Sequence, residues 1–366
     1  MELEIEREAL LTPLQAVIGV VERRQTLAIL ANVLLEAQGG QLWITATDLE
    51  VELGAVAEAQ IETSGRITVP ARKLVDIVRN LPEGSSVKLR QDGEQVSVRS
   101  GRSRFQLGAL AAEDYPRVEG IGEVESLELA QDSMRWLLEK THFCMAVQDV
   151  RYFLNGLLLE LEPSRFRAVA TDGHRLALAD LTGAEGLSEG RRVIVPRKGV
   201  QELMRLLERS SEPVAVDLGE SHIRIRTQSL VFTSKLIEGR FPDYEGVIPE
   251  ADGPYVSGER EAIRQGLVRV SILSNEKYRG VRWILEPDGL RVVSNNPEQE
   301  EAEEALPVGY NGETLEVGFN ASYMLDALGA ITEDEVRIYL RDASSSALLM
   351  GEGAGACRYV VMPMRL

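Results

Sequence analysis

ANVLLE at 31–36, NGLLLE at 155–160 and VRWILE at 281–286 are three versions of one apolar strand that ends in glutamate. Glu36, Glu160 and Glu286 lie 124 and 126 residues apart, so the spacing is that of a large internal repeat and sets the architecture before any single motif is read. The strand that follows is also repeated. TATDLEVEL at 45–53 is answered by AVATDGHRLAL at 168–178 and by RVVSNNPEQEEAE at 291–303, which puts Thr47-Asp48, Thr171-Asp172 and Asn295-Asn296 in register.

Further out, a β-branched run breaks and continues with apolar residues at helical spacing in ITVPARKLVDIVRNL (67–81), VIVPRKGVQELMRLL (193–207) and LEVGFNASYMLDALGAI (315–331). RSRFQLGALAAEDYP (102–116) matches VFTSKLIEGRFPDY (231–244), and the third copy reaches only CRYVVMPMRL (357–366). Each copy opens with an amphipathic helix, near 8–22, 132–146 and 259–273. Glycine turns such as Asp92-Gly93 and Asp288-Gly289 join alternating strands. The fold class expected is α+β: three tandem copies of a two-helix plus antiparallel-sheet domain. Gly-, Pro- and acid-rich breaks at 119–126 and 246–254 divide them into residues 1–122, 123–248 and 249–366.

Composition narrows the function. The 366 residues hold 58 Asp and Glu against 40 Lys and Arg, a net charge of −18, so a basic nucleic-acid or membrane binder held by phosphate contacts is not expected. Contact with DNA would be weak or topological. Two cysteines, Cys144 and Cys357, form no disulfide framework or zinc spacing, and indicate a reducing compartment. The acidic start is patterned as a strand running into a helix, unlike a signal peptide, and no apolar run approaches the ~18 residues of a membrane span.

Several strings together carry a family resemblance. VPARK (69–73), QDVRY (148–152), ATDGHRLA (170–177), IVPRKG (194–199), GRFPDY (239–244), ILSNEKYRGVR (272–282), NNPEQEEAEE (295–304) and VVMPMRL (360–366) resemble the bacterial sliding clamps, the beta subunits of DNA polymerase III. The match runs from end to end. The resemblance implies a head-to-tail homodimeric ring around double-stranded DNA, with helices lining the hole and sheet outside. It implies a non-catalytic processivity subunit that tethers the DNA polymerase III catalytic subunit. A short linear motif would bring other DNA polymerases, ligase, mismatch-repair proteins and the clamp loader to the same pocket. The expected location is cytoplasmic, nucleoid-associated at replication forks, without membrane, cofactor or metal.

Candidate inner basic residues on or beside the repeat helices are Arg24, Arg72, Lys73, Arg79, Arg197 and Lys198. Similarity to the family singles out Arg24, Gln148, Arg151, Tyr152 and Lys198 as DNA contacts. The second helix of the third repeat, ASYMLDALGAI, has no Lys or Arg, so a positive lining would be uneven. The partner-peptide pocket implied by the family comprises Leu154, Thr171, Gly173, His174, Arg175 and Leu176, with Pro242, Val247, Asn320, Tyr323, Ser344 and Ser346. The C-terminal Val360, Met362, Pro363, Met364, Arg365 and Leu366 complete it. Its apolar members suit a Leu or Phe anchor, and methionine adapts to different shapes. Leu154 and Leu176 read equally well as core. A rim position that is basic in the family is Gly246 here.

The ring contact implied by the family pairs Phe105 and Leu107 with Ile272 and Leu273, and Arg102 and Arg104 with Glu298, Glu300, Glu301 and Glu304. RSGRSR (99–104) and PEQEEAEE (297–304) are independently dense in opposite charges, which favours a heterologous, ring-closing contact. The competing class is a carboxylate-dependent hydrolase or nuclease built on Asp48 and Asp172. His142, His174 and His222 lack metal-ligand spacing, and no phosphate loop or nucleophile elbow is present.

Overall fold

The computed structural model describes residues 1–21, 27–118, 121–122, 124–182, 190–287, 289–353 and 355–365. Among these are six α-helices, two per repeat: α1 (Arg7–Val17), α2 (Ala71–Arg79), α3 (Gln131–Thr141), α4 (Arg197–Leu206), α5 (Arg260–Ser271) and α6 (Ala321–Ala330). The periodic apolar positions are the buried ones. α1 buries Leu10, Pro13, Leu14 and Val17, and α5 buries Ile263, Gly266, Leu267 and Val270, each at i, i+3, i+4 and i+7. α2 repeats the stripe with Ala71, Leu74, Val75 and Val78. Pro70 and Pro196 precede α2 and α4, whereas α6 starts at Asn320, whose side chain accepts from the N–H groups of Ser322 (2.9 Å) and Tyr323 (3.3 Å).

The chain packs as two compact units, residues 1–132 with 201–236 and residues 133–200 with 237–366. In the first, strand Leu230–Lys235 of the second repeat pairs antiparallel with Val51–Glu58 of the first, Phe232 opposite Leu53, which makes one eight-stranded sheet. In the second, Arg175–Thr182 of the second repeat pairs with Cys357–Val361 of the third, Leu176 opposite Val360, within a nine-stranded sheet. Sequence repeats and packing units are therefore different divisions of the chain, because the sheets run through the repeat joins. A five-stranded sheet in the first unit ends on edge strand Ser103–Gly108, and a four-stranded sheet in the second ends on Glu301–Leu306.

The in-register Thr-Asp pairs close the turns between neighbouring strands. Asp48 Oδ1 accepts from the N–H groups of Glu50 (2.9 Å) and Val51 (2.7 Å), and Asp172 Oδ1 from those of His174 (2.9 Å) and Arg175 (3.1 Å). Asn296 does the same for Glu300 N–H at 2.9 Å. These side chains satisfy backbone donors, the ordinary work of Asx residues in turns.

The repeated Asp-Tyr closing also has one structural role. Tyr115 Oη accepts from Thr47 N–H at 3.1 Å and lies 3.2 Å from the Asn32 carbonyl. Tyr244 Oη donates to Glu160 (2.7 Å) and accepts from Arg167 (3.1 Å), whose guanidinium also grips Asp180 at 2.6 and 2.9 Å. Burial first, then the Glu160 carboxylate, pushes the Tyr244 hydroxyl up to about 12 against the pull of Arg167. Glu160 and Arg167 are both buried, so the network depends on complete pairing. Arg167→Ala strands the Asp180 carboxylate and removes the donor to Tyr244, and is expected to lower unfolding stability by about 3 kcal/mol, read as a fall in the urea midpoint.

Candidate functional site

The residues expected to line a partner pocket lie in the second unit, around the place where strand Arg175–Thr182 meets Cys357–Val361. Leu154, Leu176 and Val360 are 2–3% exposed and belong to a cluster with Leu158, Leu178, Leu348, Phe241 and Tyr244. They are core residues and can form only the floor. Beyond Val361 the chain leaves the sheet: Met362 N–H donates to the His174 carbonyl (3.0 Å), and Met364 N–H to that of Gly318 (2.9 Å). Met362 is half exposed beside exposed His174 and Gly173, so an adaptable apolar side chain lies at the rim. Gly173 has φ +87, and a Cβ there would lie 3.0 Å from the Arg151 guanidinium. Thr171 Oγ1 donates to the Arg175 carbonyl at 2.7 Å, bracing the same turn.

Arg175 is committed inside the fold. It donates to Asp172 (3.0 Å), Asp326 (2.5 Å) and the Phe143 carbonyl (2.7 Å), and its guanidinium lies 4.5 Å over the Tyr323 ring. It ties turn, α6 and the segment after α3 together, a positioning role for a residue expected to contact a peptide. Sequence reading missed Asp326 and Phe143, although Asp326 occupies the helix position of Asp76 and Glu202. Exposed Val247 and half-buried Ser346 line a cleft of about 430 Å³ with Gly246, Ile248 and Tyr339. Exposed Pro242 borders a smaller one of about 250 Å³. Ser344 is turned to Asp342, Asn320 caps α6, Pro363 is half-buried and Arg365 exposed. Leu366 lies outside the described residues, as does Arg24.

Among the other basic candidates, Arg72 and Lys73 are exposed on α2, with Arg72 donating to the Val21 carbonyl at 2.7 Å. Arg197 is half-buried and donates to the Met145 carbonyl at 2.9 Å, so part of its hydrogen-bonding capacity is used; Lys198 is half-buried. Residues 147–152 form an exposed loop. Val150 is 96% exposed, Tyr152 is exposed, and Gln148 takes φ +54. Asp149 braces this loop by accepting from Arg151 Nε (3.0 Å), Nη2 (2.8 Å) and backbone N–H (2.8 Å). These bonds hold its carboxyl down at about 2.

At the two sheet edges, Arg102 and Arg104 are exposed and Phe105 is half-buried, but Leu107 is buried in its own sheet, so it backs the edge and does not present an apolar contact. Arg104 faces Arg99, which faces Lys88, across three adjacent strands. Like charges directly opposite are unfavourable without a counter-charge. Lys88 has one in Glu4 at 2.8 Å. On the other edge Ile272 is 72% exposed, Leu273 is half-buried, and Glu298, Glu300 and Glu301 are exposed. Glu304 is bound by Arg269 of its own chain, whose hydrogen bonds lower its carboxyl below the usual range.

Models for the N-terminal, central and C-terminal domains of the DNA polymerase III beta subunit match residues 1–119, 128–243 and 245–365. The chain is 52% identical to the beta sliding clamp of Pseudomonas putida and 47% to that of Escherichia coli, covering both partners completely in each case. A crystal structure of the DNA polymerase sliding clamp from Pseudomonas aeruginosa superposes with a TM-score of 0.97 at 50% identity over all of both chains. The Caulobacter crescentus clamp gives 0.95 at 38%.

The depressed Asp149 carboxyl carries a pH prediction. Its bracing is complete above the ordinary aspartate range and is lost as pH falls through about 2. Carboxyl NMR should show a midpoint near 2 that rises toward the ordinary range in Arg151→Ala, which removes the side-chain bonds and keeps the backbone one.

Proposed function

The chain belongs to the bacterial DNA polymerase III beta subunit family, and from that premise we propose how its own residues perform the work of a sliding clamp. It is a DNA sliding clamp, a processivity factor and not a catalyst. A carboxylate-dependent hydrolase has no support: Asp48 and Asp172 are turn caps, and among the described residues no cluster of His, Cys, Asp and Glu is arranged to hold a metal.

The observation that carries the assembly reading is a pair of sheet edges of opposite charge on one chain. An unpaired edge invites another strand. Ser103–Gly108 carries Arg104 and follows Arg102, and Glu301–Leu306 follows Glu298 and Glu300. Pairing the first edge of one copy with the second of another would close the ring, with Phe105 against Ile272 and Leu273 at its apolar centre. Each end is used once per contact, so copies join head to tail, and in the family's ring two copies close it.

Around DNA, the net charge of −18 suits encirclement. A few cations, Arg72, Lys73, Gln148's neighbour Arg151, and Lys198, would touch phosphates transiently, while an evenly basic lining would hold the duplex and slow travel. Gln148 and Tyr152 would contribute uncharged contacts, Arg197 a partial one, and Arg24 would join them. The motif pocket would seat an apolar anchor over Leu154, Leu176 and Val360, gripped by Met362 and Val247, with His174 and Asn320 fixing register. The polymerase would dock there, as would the clamp loader, ligase and mismatch-repair proteins. The three-domain division at 122/123 and 248/249 and a cytoplasmic, nucleoid-associated location belong to the same reading.

Sedimentation velocity is expected to give a dimer for the native chain and a monomer for Ile272→Ala with Leu273→Ala; a persistent dimer rejects the edge assignment. Met362→Ala should weaken binding of a short Leu-Phe peptide by about tenfold, the scale of losing one well-packed anchor contact, measured by fluorescence anisotropy.

A further inference from the structure

The three closing segments return to the same strand of their repeats. Leu110 exchanges backbone hydrogen bonds with Thr68 (3.1 and 3.2 Å), Ile237 N–H donates to the Ile194 carbonyl (2.9 Å), and Met364 N–H to the Gly318 carbonyl (2.9 Å). In the first two repeats the chain then lays a tyrosine on a neighbouring strand pair. Tyr115 packs with Leu34, and Tyr244 among Leu158 and Val169. Leu34 lies opposite Thr45 and Leu158 opposite Val169, so the two rings cover one position of the repeat. Under them Leu34 and Leu158 are only 2% and 3% exposed.

Strand register identifies the matching place in the third repeat. Asn32 pairs with Pro70, Gly156 with Pro196 and Gly280 with Asn320, each partner standing just before the second helix. Two residues on, Arg282 opposite Val293 corresponds to Leu34 opposite Thr45. Here the face is open. The Arg282 side chain is 44% exposed and Val293 is half-buried, and with Gly280, Asn295 and Met364 they line a cleft of about 550 Å³. Its backbone groups match those that hold Tyr115, whose Oη accepts from Thr47 N–H and reaches the Asn32 carbonyl; Asn295 and Gly280 occupy those two positions in the third repeat. Glu160 opposite Arg167 becomes Ile284 opposite Arg291, so the carboxylate that takes the Tyr244 hydroxyl has no counterpart there.

We propose that this cleft binds a tyrosine side chain of a partner protein, carried next to an acidic residue, in the place where the first repeat seats its own Tyr115. The ring lies on Val293 and Met364 with the Arg282 guanidinium against its face, and the hydroxyl accepts from Asn295 N–H and donates to the Gly280 carbonyl. Arginine in place of the leucine of the other repeats is what a ligand arriving from water needs, since a cation stays solvated when the cleft is open and leucine does not. Arg282 and Arg365 attract the acidic neighbour, and Glu301 on the other wall confines it to their side. The site is separate from the proposed motif pocket: Met362 rims that pocket and Met364 this cleft.

The probe is a fluorescent peptide with the sequence of residues 110–117, LAAEDYPR. Anisotropy should show saturable binding to the full chain, weakened about tenfold when the peptide's tyrosine is replaced by phenylalanine and about tenfold by Arg282→Leu in the chain. Arg282→Leu should leave the urea midpoint and binding of the Leu-Phe motif peptide unchanged, and Met362→Ala should leave LAAEDYPR binding unchanged. With benzoylphenylalanine in the tyrosine position, photocrosslinks are expected on Met364; crosslinks on Met362 alone assign the peptide to the motif pocket and overturn the proposal. So does the absence of saturable binding, or equal binding by the phenylalanine peptide and by Arg282→Leu. Binding that appears only in Leu366→Gly assigns the cleft to Leu366, and binding only in Ile272→Ala/Leu273→Ala assigns it to a second copy; either result overturns the proposal. Failure of the Leu-Phe peptide to bind the native chain rejects the motif-pocket reading alone.

Discussion

Antiparallel pairing between strands of different repeats is the constraint on which this molecule depends. A repeat of two helices and a few strands leaves sheet edges whose N–H and C=O groups need partners. Two such needs are met inside the chain, by Leu230–Lys235 on Val51–Glu58 and by Arg175–Thr182 on Cys357–Val361. The eight- and nine-stranded sheets that result belong to no single repeat. Two of the remaining edges, Ser103–Gly108 and Glu301–Leu306, carry opposite charge, so the rule that joins repeats within the chain also offers a way to join copies.

The same joins bring together the residues of the proposed pocket. Leu176 and Val360 face each other across strands of two repeats, and the chain leaving that pairing carries Met362 past the turn at Asp172. Leu154, Leu176 and Val360 are core, so in the proposed pocket they can form only the floor, and the side chains free to adapt are those at the rim, such as Met362. Arg175 stands between the two roles, since it spends its hydrogen bonds holding the turn to α6 and the segment after α3.

Charge is placed as economically as the strands. Many cations, Arg167, Arg175 and Arg205 among them, hold carboxylates, carbonyls or helix ends. What remains exposed on α2 and the 147–152 loop is sparse, which matches a protein that must surround a polyanion without sticking to it.

The threefold repeat, all six helices, the register of the Thr-Asp pairs and the opposed charge runs were legible in the residues, because each follows from periodicity or composition; that the Asp side chains close turns came from the structure. The core membership of Leu154 and Leu176 was not, since a strand pattern shows which face is apolar but not whether a neighbouring strand covers it. Leu107, placed at the ring contact by the family resemblance, is buried in its own sheet. Nor could spacing reveal that Arg175 is internally bound, or that Asp326 and Phe143 hold it, because those partners lie 151 and 32 residues away in the chain. Sequence by itself determined the repeated unit and its turns, which are local. Only the tertiary structure decided which strands of different repeats pair, and therefore which apolar and charged side chains remain available to partners, because that choice rests on contacts between residues far apart in the chain.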